Sequence, residues 1–198
     1  RYKQQVPSID AFKDVNCGIL RWEKVDWLVK MPRAKVKGII KTDDGTVEID
    51  AVGYSDDNWG EFLPFLSKYE WGQYSDEKIS FIFGVLYKLL KIQSKYFYLI
   101  IDNEVVWLEN PEFGIKHKKW GTGGHDGIRV PLESEFIARD KKFTIRFTSR
   151  LINSDLLGLK ISVLLPKSVV SEQIVEYKGA IEKNGKVIYE FDGLGFRE

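Results

Sequence analysis

Hydrophobic and polar residues alternate with a period of two along much of this chain. In "KFTIRFTSR", residues 142–150, Phe143, Ile145 and Phe147 are separated by polar or charged residues. Successive side chains of a β-strand point to opposite faces of its sheet, so this pattern is typical of a strand with one buried face. The dominant period therefore predicts a β protein.

Three pairs of alternating segments enclose short turn sequences. The turns are Asp43-Asp44-Gly45, Asp102-Asn103-Glu104 and Lys183-Asn184-Gly185. Such residues tolerate the backbone angles of tight hairpin turns. With the further apolar runs we expect about ten strands or more in an antiparallel barrel or sandwich. An immunoglobulin-type sandwich is disfavoured because the chain lacks the Cys–Trp–Cys pattern.

Helix signals are weak. "GEFLPFLSKY", residues 60–69, has room for one helical turn, which Pro64 limits. "PKSVVSEQIVEY", residues 166–177, is compatible with a short helix or another strand. The Gly-rich "HKKWGTGGHDG", residues 117–127, is typical of a flexible hairpin tip.

Two predicted strands are apolar on both faces. They are "ISFIFGVLY", residues 79–87, and "YFYLII", residues 96–101. One face of a barrel strand normally meets water, so a second apolar face needs a cover. We expect the segment from Tyr96 to Ile101 to be buried against the N-terminal 50 residues or in a homodimer.

Charge and cysteine content narrow the class of protein. The 198 residues carry a formal net charge of +1 and no basic run, so no nucleic-acid partner is expected. Cys17 is the single cysteine, which excludes an intramolecular disulfide and is typical of a reducing compartment. No apolar run approaches the ~20 residues of a membrane-spanning helix. These features favour the cytoplasm or the membrane periphery, with no integral membrane segment.

Metal and cofactor signatures are weak. A zinc site needs three or four close ligands, which His117, His125 and the distant Cys17 do not supply. "GTGG", residues 121–124, lacks the Lys-Ser/Thr pair of a phosphate loop. No serine lies in a Gly-x-Ser-x-Gly elbow. We therefore expect no metal and no cofactor.

Acidic and aromatic residues are concentrated in two short segments. In "AVGYSDDNWGEF", residues 51–62, a strand is predicted to end at Val52 before an acid-rich corner. "YEWGQYSDEKISF", residues 69–81, repeats the aromatic–Gly–acid combination. The aspartates could cap loop ends by accepting backbone N–H bonds. If both segments converge at a barrel mouth, the surrounding rings would raise a carboxyl pKa, as proton donation near neutral pH requires.

"GYSDDNWG", residues 53–60, resembles the Gly-Tyr-His-Asp-His-Asn-Trp-Gly signature of the carotenoid 1,2-hydratase (hydroxyneurosporene synthase) family. That group includes tocopherol-cyclase-like and fungal Diels–Alderase-like lipocalin proteins. The resemblance covers residues 27–87 and, weakly, the closing "VIYEFDGLGFRE", residues 187–198. It implies paired lipocalin-like barrels around a pocket, in which an acid protonates a C=C bond before water adds.

The resemblance also implies roles for particular residues. Matched by position, the catalytic residues are Asp57, Trp59, Tyr74 and Asp76. The residues implied to bind the ligand are Tyr54, Asp56, Asn58 and Trp71.

The expected fold is all-β: a lipocalin-like antiparallel β-barrel over residues 61–198 with an N-terminal hairpin or small sheet over residues 1–60. A single larger barrel is the competing arrangement. About 50 residues precede the signature, where the family has most of a first barrel. We therefore expect either the C-terminal part of a two-barrel protein or a reduced version of one.

Two functions from different classes follow. One is a cofactor-independent hydratase, cyclase or isomerase that applies acid catalysis to a terpenoid- or polyene-like molecule. The other is a non-catalytic carrier of a hydrophobic ligand, favoured by Ser55 and Asp57 at the positions of the family's two histidines. Both require a mainly apolar internal pocket of a few hundred Å3. The expected partners are an apolar small molecule and either a second copy or a preceding barrel.

Overall fold

The computed structural model describes residues 1–16, 24–61, 67–88, 91–108, 111–123, 128–159 and 168–198. Within these ranges the chain forms strands and turns, and it contains no helix long and apolar enough to cross a membrane. The strands are β1 (Tyr2–Gln4), β2 (Ile9–Asn16), β3 (Lys24–Thr42), β4 (Gly45–Glu61), β5 (Ser67–Ser75), β6 (Ile79–Lys88), β7 (Lys91–Ile101), β8 (Glu104–Trp107), β9 (Glu112–Gly123), β10 (Ile128–Arg139), β11 (Phe143–Leu159), β12 (Ser168–Lys183) and β13 (Lys186–Arg197).

The strands form two antiparallel sheets. In the N-terminal sheet, β3 pairs with β4 on one side and with β1 and β2 on the other. The barrel sheet has the order β8-β7-β6-β5-β13-β12-β11-β10-β9, so neighbouring strands are consecutive in sequence except where β13 pairs with β5. This up-and-down order confirms the predicted all-β, lipocalin-like fold. The domain division at residues 60 and 61 stays a prediction.

Aromatic rings fill the inner face of the barrel sheet. Phe81 and Phe147 lie 4.7 Å apart between ring centroids, and Phe136 stacks on Phe147 at 4.6 Å. Rings of Phe97 and Phe113 approach to 5.6 Å from β7 and β9, near the two edges of the sheet. Because inward-facing residues alternate along each strand, the aromatic residues of many strands meet in one core.

The N-terminal sheet covers part of the outer face of β6 and β7. Ile82, Tyr96 and Tyr98 are buried there in a cluster with Trp27 and other residues of the N-terminal sheet. A Cβ atom on Gly84 would lie only 2.4 Å from Trp27 Cζ3, so the missing side chain lets the indole approach the barrel. The prediction that the segment from Tyr96 to Ile101 on β7 is buried against the N-terminal 50 residues is confirmed.

A buried arginine joins the two sheets at one end of β6. Arg33 Nη1 donates to Ile79 O at 2.9 Å and Ser80 Oγ at 2.7 Å, and Nη2 donates to Glu77 O at 2.6 Å. Arg33 Nε donates to Asn103 Oδ1 at 3.1 Å. A buried guanidinium needs such partners, since each unsatisfied donor would carry a desolvation cost.

The predicted hairpin turns are confirmed, but one predicted strand end is wrong. Asp102 and Asn103 have φ values of 51° and 66°, the left-handed conformation of a tight hairpin turn. β4, however, continues through the acid-rich segment to Glu61, rather than ending at Val52. Pairing with β3 continues to the Lys24–Glu61 pair, past register irregularities around Met31, so the presumed corner is a strand.

Two other segments differ in extent from the sequence interpretation. Of the two alternatives for residues 166–177, the strand is found: β12 pairs with β11 along its length and with β13 from Gln173 to Lys183. The presumed flexible tip is strand as far as Gly123, and residues 124–127 lie outside the described ranges. The helical turn considered around Pro64 also falls outside them.

Candidate functional site

The predicted site residues lie in three separate places, because adjacent residues of a strand point to opposite faces. On β4, Tyr54 and Asp56 share the face that carries Trp27 contacts, whereas Asp57 and Trp59 occupy the alternate positions. On β5, Trp71 contacts the rings between the sheets and Tyr74 lies in the barrel core. The structure therefore brings together only part of the predicted set.

Asp57 and Trp59 are surface residues. Asp57 Oδ2 forms an ion pair with Lys30 Nζ at 2.5 Å, and its side chain is 48% exposed. Trp59 is 52% exposed. Asn58 is also exposed, although its Nδ2 reaches Asp56 Oδ2 at 3.4 Å. The aromatic enclosure expected around Asp57 is absent from the contacts of the described residues.

Tyr74 and Asp76 lie at the turn between β5 and β6. Asp76 Oδ1 accepts hydrogen bonds from the backbone N–H groups of Lys78 and Ile79, both at 2.8 Å. Its Oδ2 accepts bonds from Tyr74 OH at 3.0 Å and Tyr189 OH at 3.3 Å. Four donors thus converge on this carboxyl, which caps the turn and satisfies the hydroxyl of a buried tyrosine.

A third group, the aromatic–carboxylate cluster, lies between the two sheets and consists of Trp27, Tyr54, Asp56, Trp71 and Glu198. Asp56 Oδ2 accepts hydrogen bonds from Trp27 Nε1 at 2.6 Å and Tyr54 OH at 3.0 Å. Burial and the Asp56 charge raise the pKa of the Tyr54 hydroxyl, which keeps it a neutral donor. The cluster therefore holds an acid, Asp56, among aromatic groups.

Ring stacking fixes the positions of the aromatic groups in this cluster. Tyr54 stacks on Trp71 with centroids 5.8 Å apart and 25° between the planes. Trp27 meets Trp71 edge-on at 5.7 Å and Tyr96 edge-on at 5.1 Å. Phe196 packs at 5.4 Å from Trp71. Each such pair contributes about 0.5–1.5 kcal/mol beyond burial, so the rings form a rigid wall.

Trp27 and Glu198 are the cluster residues that the sequence interpretation did not select as site residues, and Glu198 is the acid among them. Trp71 Nε1 donates to its Oε2 and Tyr69 OH to its Oε1. Backbone bonds between Trp71 and Glu198, 2.9 and 3.1 Å long, extend the β5–β13 pairing and hold the residue opposite Trp71. The available sequence signal was the closing Gly193-x-Gly195-Phe196-x-Glu198 pattern.

The two acids of the cluster differ in their electrostatic environment. Burial raises the pKa of the Glu198 carboxyl above its ordinary value, and the negative charges of Glu172 and Asp56 add to the increase. The hydrogen bonds from Tyr69 and Trp71 oppose this shift because they stabilise the charged form. The Glu198 carboxyl therefore keeps its proton to a higher pH than an ordinary glutamate. The other acid of the cluster, Asp56, accepts three side-chain hydrogen bonds.

A mainly apolar cleft lies between β7 and β9. Its volume is about 400 Å3, and the predicted internal pocket at the site residues stays a prediction. Tyr96 lines it and also contacts Trp27, so one side chain connects the cleft with the cluster. None of the eight predicted site residues lines it; the lining residues are Lys95, Tyr96, Phe97, Tyr98, Leu108, Pro111 and Glu112.

In the described ranges, no group of three or more His, Cys, Asp or Glu side chains is arranged to hold a metal ion. The chemistry available to the aromatic–carboxylate cluster is proton transfer by its two acids, next to π faces that attract a cation.

The chain matches no protein-family model and no curated protein sequence. Several solved structures share its fold. A Nitrosomonas europaea protein, provisionally described as ATTH, aligns over 99% of this chain with 11% identity and a TM-score of 0.62. The protein CghA aligns over 93% with 11% identity and a TM-score of 0.59.

Kievitone hydratase from Nectria haematococca aligns over 100% of this chain with 13% identity and a TM-score of 0.56. The chain spans 59%, 56% and 67% of the lengths of the three proteins in the order given. At such low identity the likeness shows a shared fold.

Proposed function

We propose that this protein binds a polyene- or terpenoid-like molecule and acts on it as a hydratase, cyclase or isomerase by acid catalysis. The observation that carries the proposal is the carboxyl pair of Asp56 and Glu198 among the rings of Trp27, Tyr54 and Trp71. An isolated C=C bond needs a strong proton donor and an environment that tolerates the cation formed. The cluster offers both.

In this proposal Glu198 donates the proton. Its raised pKa keeps the carboxyl protonated to a higher pH than usual, as general acid catalysis requires. The proton moves from Glu198 to one alkene carbon, and the other carbon becomes a cation. The faces of Trp71 and Tyr54 stabilise that cation by cation–π attraction, a contribution of about 0.5–2 kcal/mol.

The product depends on how the cation is consumed. In a hydratase a water molecule adds to the cation and passes one proton to a carboxylate, so H2O is added overall. In a cyclase or isomerase a second C=C bond attacks or a neighbouring proton is lost. Asp56, which accepts hydrogen bonds as a carboxylate, is the proposed acceptor of the returning proton.

The resemblance assigns catalysis to Asp57, Trp59, Tyr74 and Asp76, and these residues remain proposals. Their contacts favour Glu198 over either aspartate as the acid. Asp57 is paired with Lys30 at the surface, and Asp76 receives four hydrogen bonds at a turn.

The second candidate is a non-catalytic carrier. It is favoured by the cleft of about 400 Å3, a volume suited to a small apolar ligand. A carrier would bind the same class of ligand through apolar contacts and leave it unchanged.

Deuterium transfer distinguishes the two candidates. The protein is incubated in D2O with geraniol, farnesol or lycopene, and carbon-bound deuterium is measured by mass spectrometry. Binding is followed in parallel by tryptophan fluorescence. An enzyme deuterates carbon in at least one substrate, and Glu198→Gln should lower that rate by about 10²-fold or more with binding retained.

Asp57→Asn is the matched control, and it should keep the wild-type rate. Binding without deuterium transfer in any substrate would establish the carrier. Full activity in Glu198→Gln together with loss in Asp57→Asn or Asp76→Asn would return the acid role to the residues implied by the resemblance.

A further inference from the structure

A second group of polar side chains lies inside the barrel at the end where β5 begins. Glu70 on β5, His117 on β9, Ser134 on β10 and Arg197 on β13 all face the interior there. Ser134 and Arg197 are almost fully buried, whereas the side chains of His117 and Glu70 are 20% and 21% exposed. The group is separate from the aromatic–carboxylate cluster, because Glu70 and Trp71 are adjacent on one strand and point to opposite faces.

Strand pairing places these residues next to one another. Ser134 lies directly opposite His117 in the β9–β10 pairing and opposite Ser149 in the β10–β11 pairing. The β9–β10 register shifts between Glu133 and Ser134, an irregularity that redirects side chains. Such local shifts are frequent next to active sites.

With a neutral His117 and an ionised Glu70, the hydrogen bonds run in one direction along this group. Arg197 cannot accept, so its Nη1 donates to Ser134 Oγ at 2.8 Å. The Ser134 proton is then free for His117 Nδ1, which lies 2.9 Å away. A carboxylate at Glu70 can only accept, so His117 Nε2 donates to Glu70 Oε1 at 3.3 Å. This assigns the His117 tautomer from the network.

Tyr87 completes the orientation of the acid. Its hydroxyl donates to the same Glu70 Oε1 at 2.9 Å, which holds the carboxyl in position. The result is a hydroxyl bonded to the unprotonated nitrogen of a histidine whose other nitrogen is bonded to an acid. That sequence of contacts is the arrangement by which a base activates a nucleophile.

We propose that Ser134, His117 and Glu70 form a catalytic relay for acyl transfer from small esters. Ser134 is the nucleophile, His117 the base, and Glu70 the residue that positions the base. Arg197 provides positive charge 2.8 Å from the nucleophilic oxygen. Its guanidinium is buried and also donates to the neutral acceptors Gln173 Oε1 and Pro131 O, so in this proposal its charge stabilises the oxyanion formed next to Ser134.

The covalent steps follow from these positions. Ser134 Oγ attacks the ester carbonyl carbon while its proton moves to His117 Nδ1, and Arg197 stabilises the oxyanion. The bond to the leaving alkoxide breaks, and His117 returns the proton to that oxygen. Water then attacks the acyl-serine with His117 again as base, which releases the carboxylic acid and restores Ser134. The depth of Ser134 restricts the acyl group to a small one such as acetyl.

The test uses the intact protein, p-nitrophenyl acetate as substrate and phenylmethylsulfonyl fluoride as a covalent probe. Hydrolysis is followed by nitrophenolate release, and the probe is located by peptide mass spectrometry. We expect the probe on Ser134 and hydrolysis that this labelling abolishes. Ser134→Ala should abolish labelling of that peptide, and His117→Gln should slow it by about 10²-fold or more.

Ser149→Ala is the matched control. Ser149 is equally buried and accepts from the same Arg197 Nη1 at 2.9 Å, but it faces Ser134 rather than a histidine. Its loss should change labelling by less than about threefold, and circular dichroism should show every variant folded. Labelling of the wild type requires no variant, so it remains decisive if one fails to fold.

Three results would overturn the relay. One is the absence of probe on Ser134 in the folded wild-type protein. Another is equal labelling in His117→Gln. The third is an equal loss in Ser149→Ala, which would show that the polar group only holds the strands together.

Discussion

Two acids next to β5 are each held by aromatic donors: Asp76 directly follows the strand, and Glu198 lies opposite Trp71 within it. Asp76 receives two backbone N–H bonds and two tyrosine hydroxyl bonds. Glu198 receives bonds from one tyrosine and one tryptophan, and burial raises its pKa. An aromatic–acid pattern in sequence is therefore compatible with opposite roles.

The difference lies in what else reaches each acid. Asp76 accepts backbone N–H bonds at a turn, so it supports the fold. Its removal would leave these N–H groups and the Tyr74 hydroxyl without this acceptor. Glu198 lies at a sheet interface beside a second acid, Asp56, so a proton is more easily held there. Asp76 is thus held by backbone and side-chain donors, whereas the side-chain donors to Glu198 are Tyr69 and Trp71.

The largest effect is expected from Arg33, which lies at the Asp76 end. Arg33→Ala removes a side-chain donor from the carbonyls of Glu77 and Ile79, of which Ile79 O keeps the N–H group of Asp76. We expect a loss of about 3–4 kcal/mol in the free energy of unfolding, measured with urea. Lys35→Ala, which removes an exposed ion pair with Asp50, is the control and should cost less than about 0.5 kcal/mol. A loss below about 1 kcal/mol in Arg33→Ala would contradict a structural role for this end.

Asp76 can be compared with a second aspartate that caps a turn in the same way. Asp140 Oδ1 accepts from the N–H groups of Lys142 and Phe143 at 2.7 and 2.6 Å, but its described contacts include no tyrosine hydroxyl. We expect Asp76→Ala to destabilise the protein by about 2–3 kcal/mol and Asp140→Ala by about 1 kcal/mol. The difference between the two losses in the free energy of unfolding, measured with urea, is the cost of leaving the Tyr74 hydroxyl without its acceptor. Equal losses would show that the tyrosine contacts contribute nothing.

The raised pKa of Glu198 should make the stability of the protein depend on pH. Its folded pKa is raised above the ordinary 4.5, so the folded state binds this proton more tightly than the unfolded state. The associated stability is fully present below pH 4.5 and is lost as the pH rises through the folded pKa. Glu198→Gln lacks this titration. In thermal unfolding scans from pH 4 upward, the Tm of the variant should therefore rise relative to the Tm of the wild type as the pH rises. Parallel curves for the two proteins would refute the raised pKa.

The smallest effect is expected at Asp57. Its ion pair with Lys30 is half exposed, and such pairs contribute about 0–1 kcal/mol. Asp57→Asn should change the urea midpoint by the equivalent of less than about 0.5 kcal/mol. A larger loss would mean that the carboxyl has a partner beyond Lys30 and would reopen its assignment as a surface residue.

Local sequence determined much of the fold. Alternation in residues 142–150 predicted a half-buried strand, and Phe143, Ile145 and Phe147 are buried in β11. Asn184 and Gly185 have positive φ values of 50° and 77°, as their turn signal required. Strand period and turn chemistry depend on neighbouring residues, so sequence alone carries them.

The site was less predictable. Asp56 and Asp57 were expected to share one cavity at a corner, but on a continuous strand adjacent residues face opposite ways. A one-residue difference in register exchanges the two faces, and the irregular β3–β4 pairing sets that register. The pairing that puts Asp56 against Trp27 is not encoded in the local pattern.

By itself the sequence determined the strand content, the hairpin turns and the need for a cover over Tyr96 to Ile101. Only the tertiary structure decided which acids meet which rings. Trp71 and Glu198 are 127 positions apart, and Glu70 and His117 are 47 apart. Such contacts arise because β13 closes onto β5 and because the sheet rolls around one core. The hydrophobic period of a strand predicts which of its residues are buried. Which residues they contact depends on the pairing of strands that are distant in sequence.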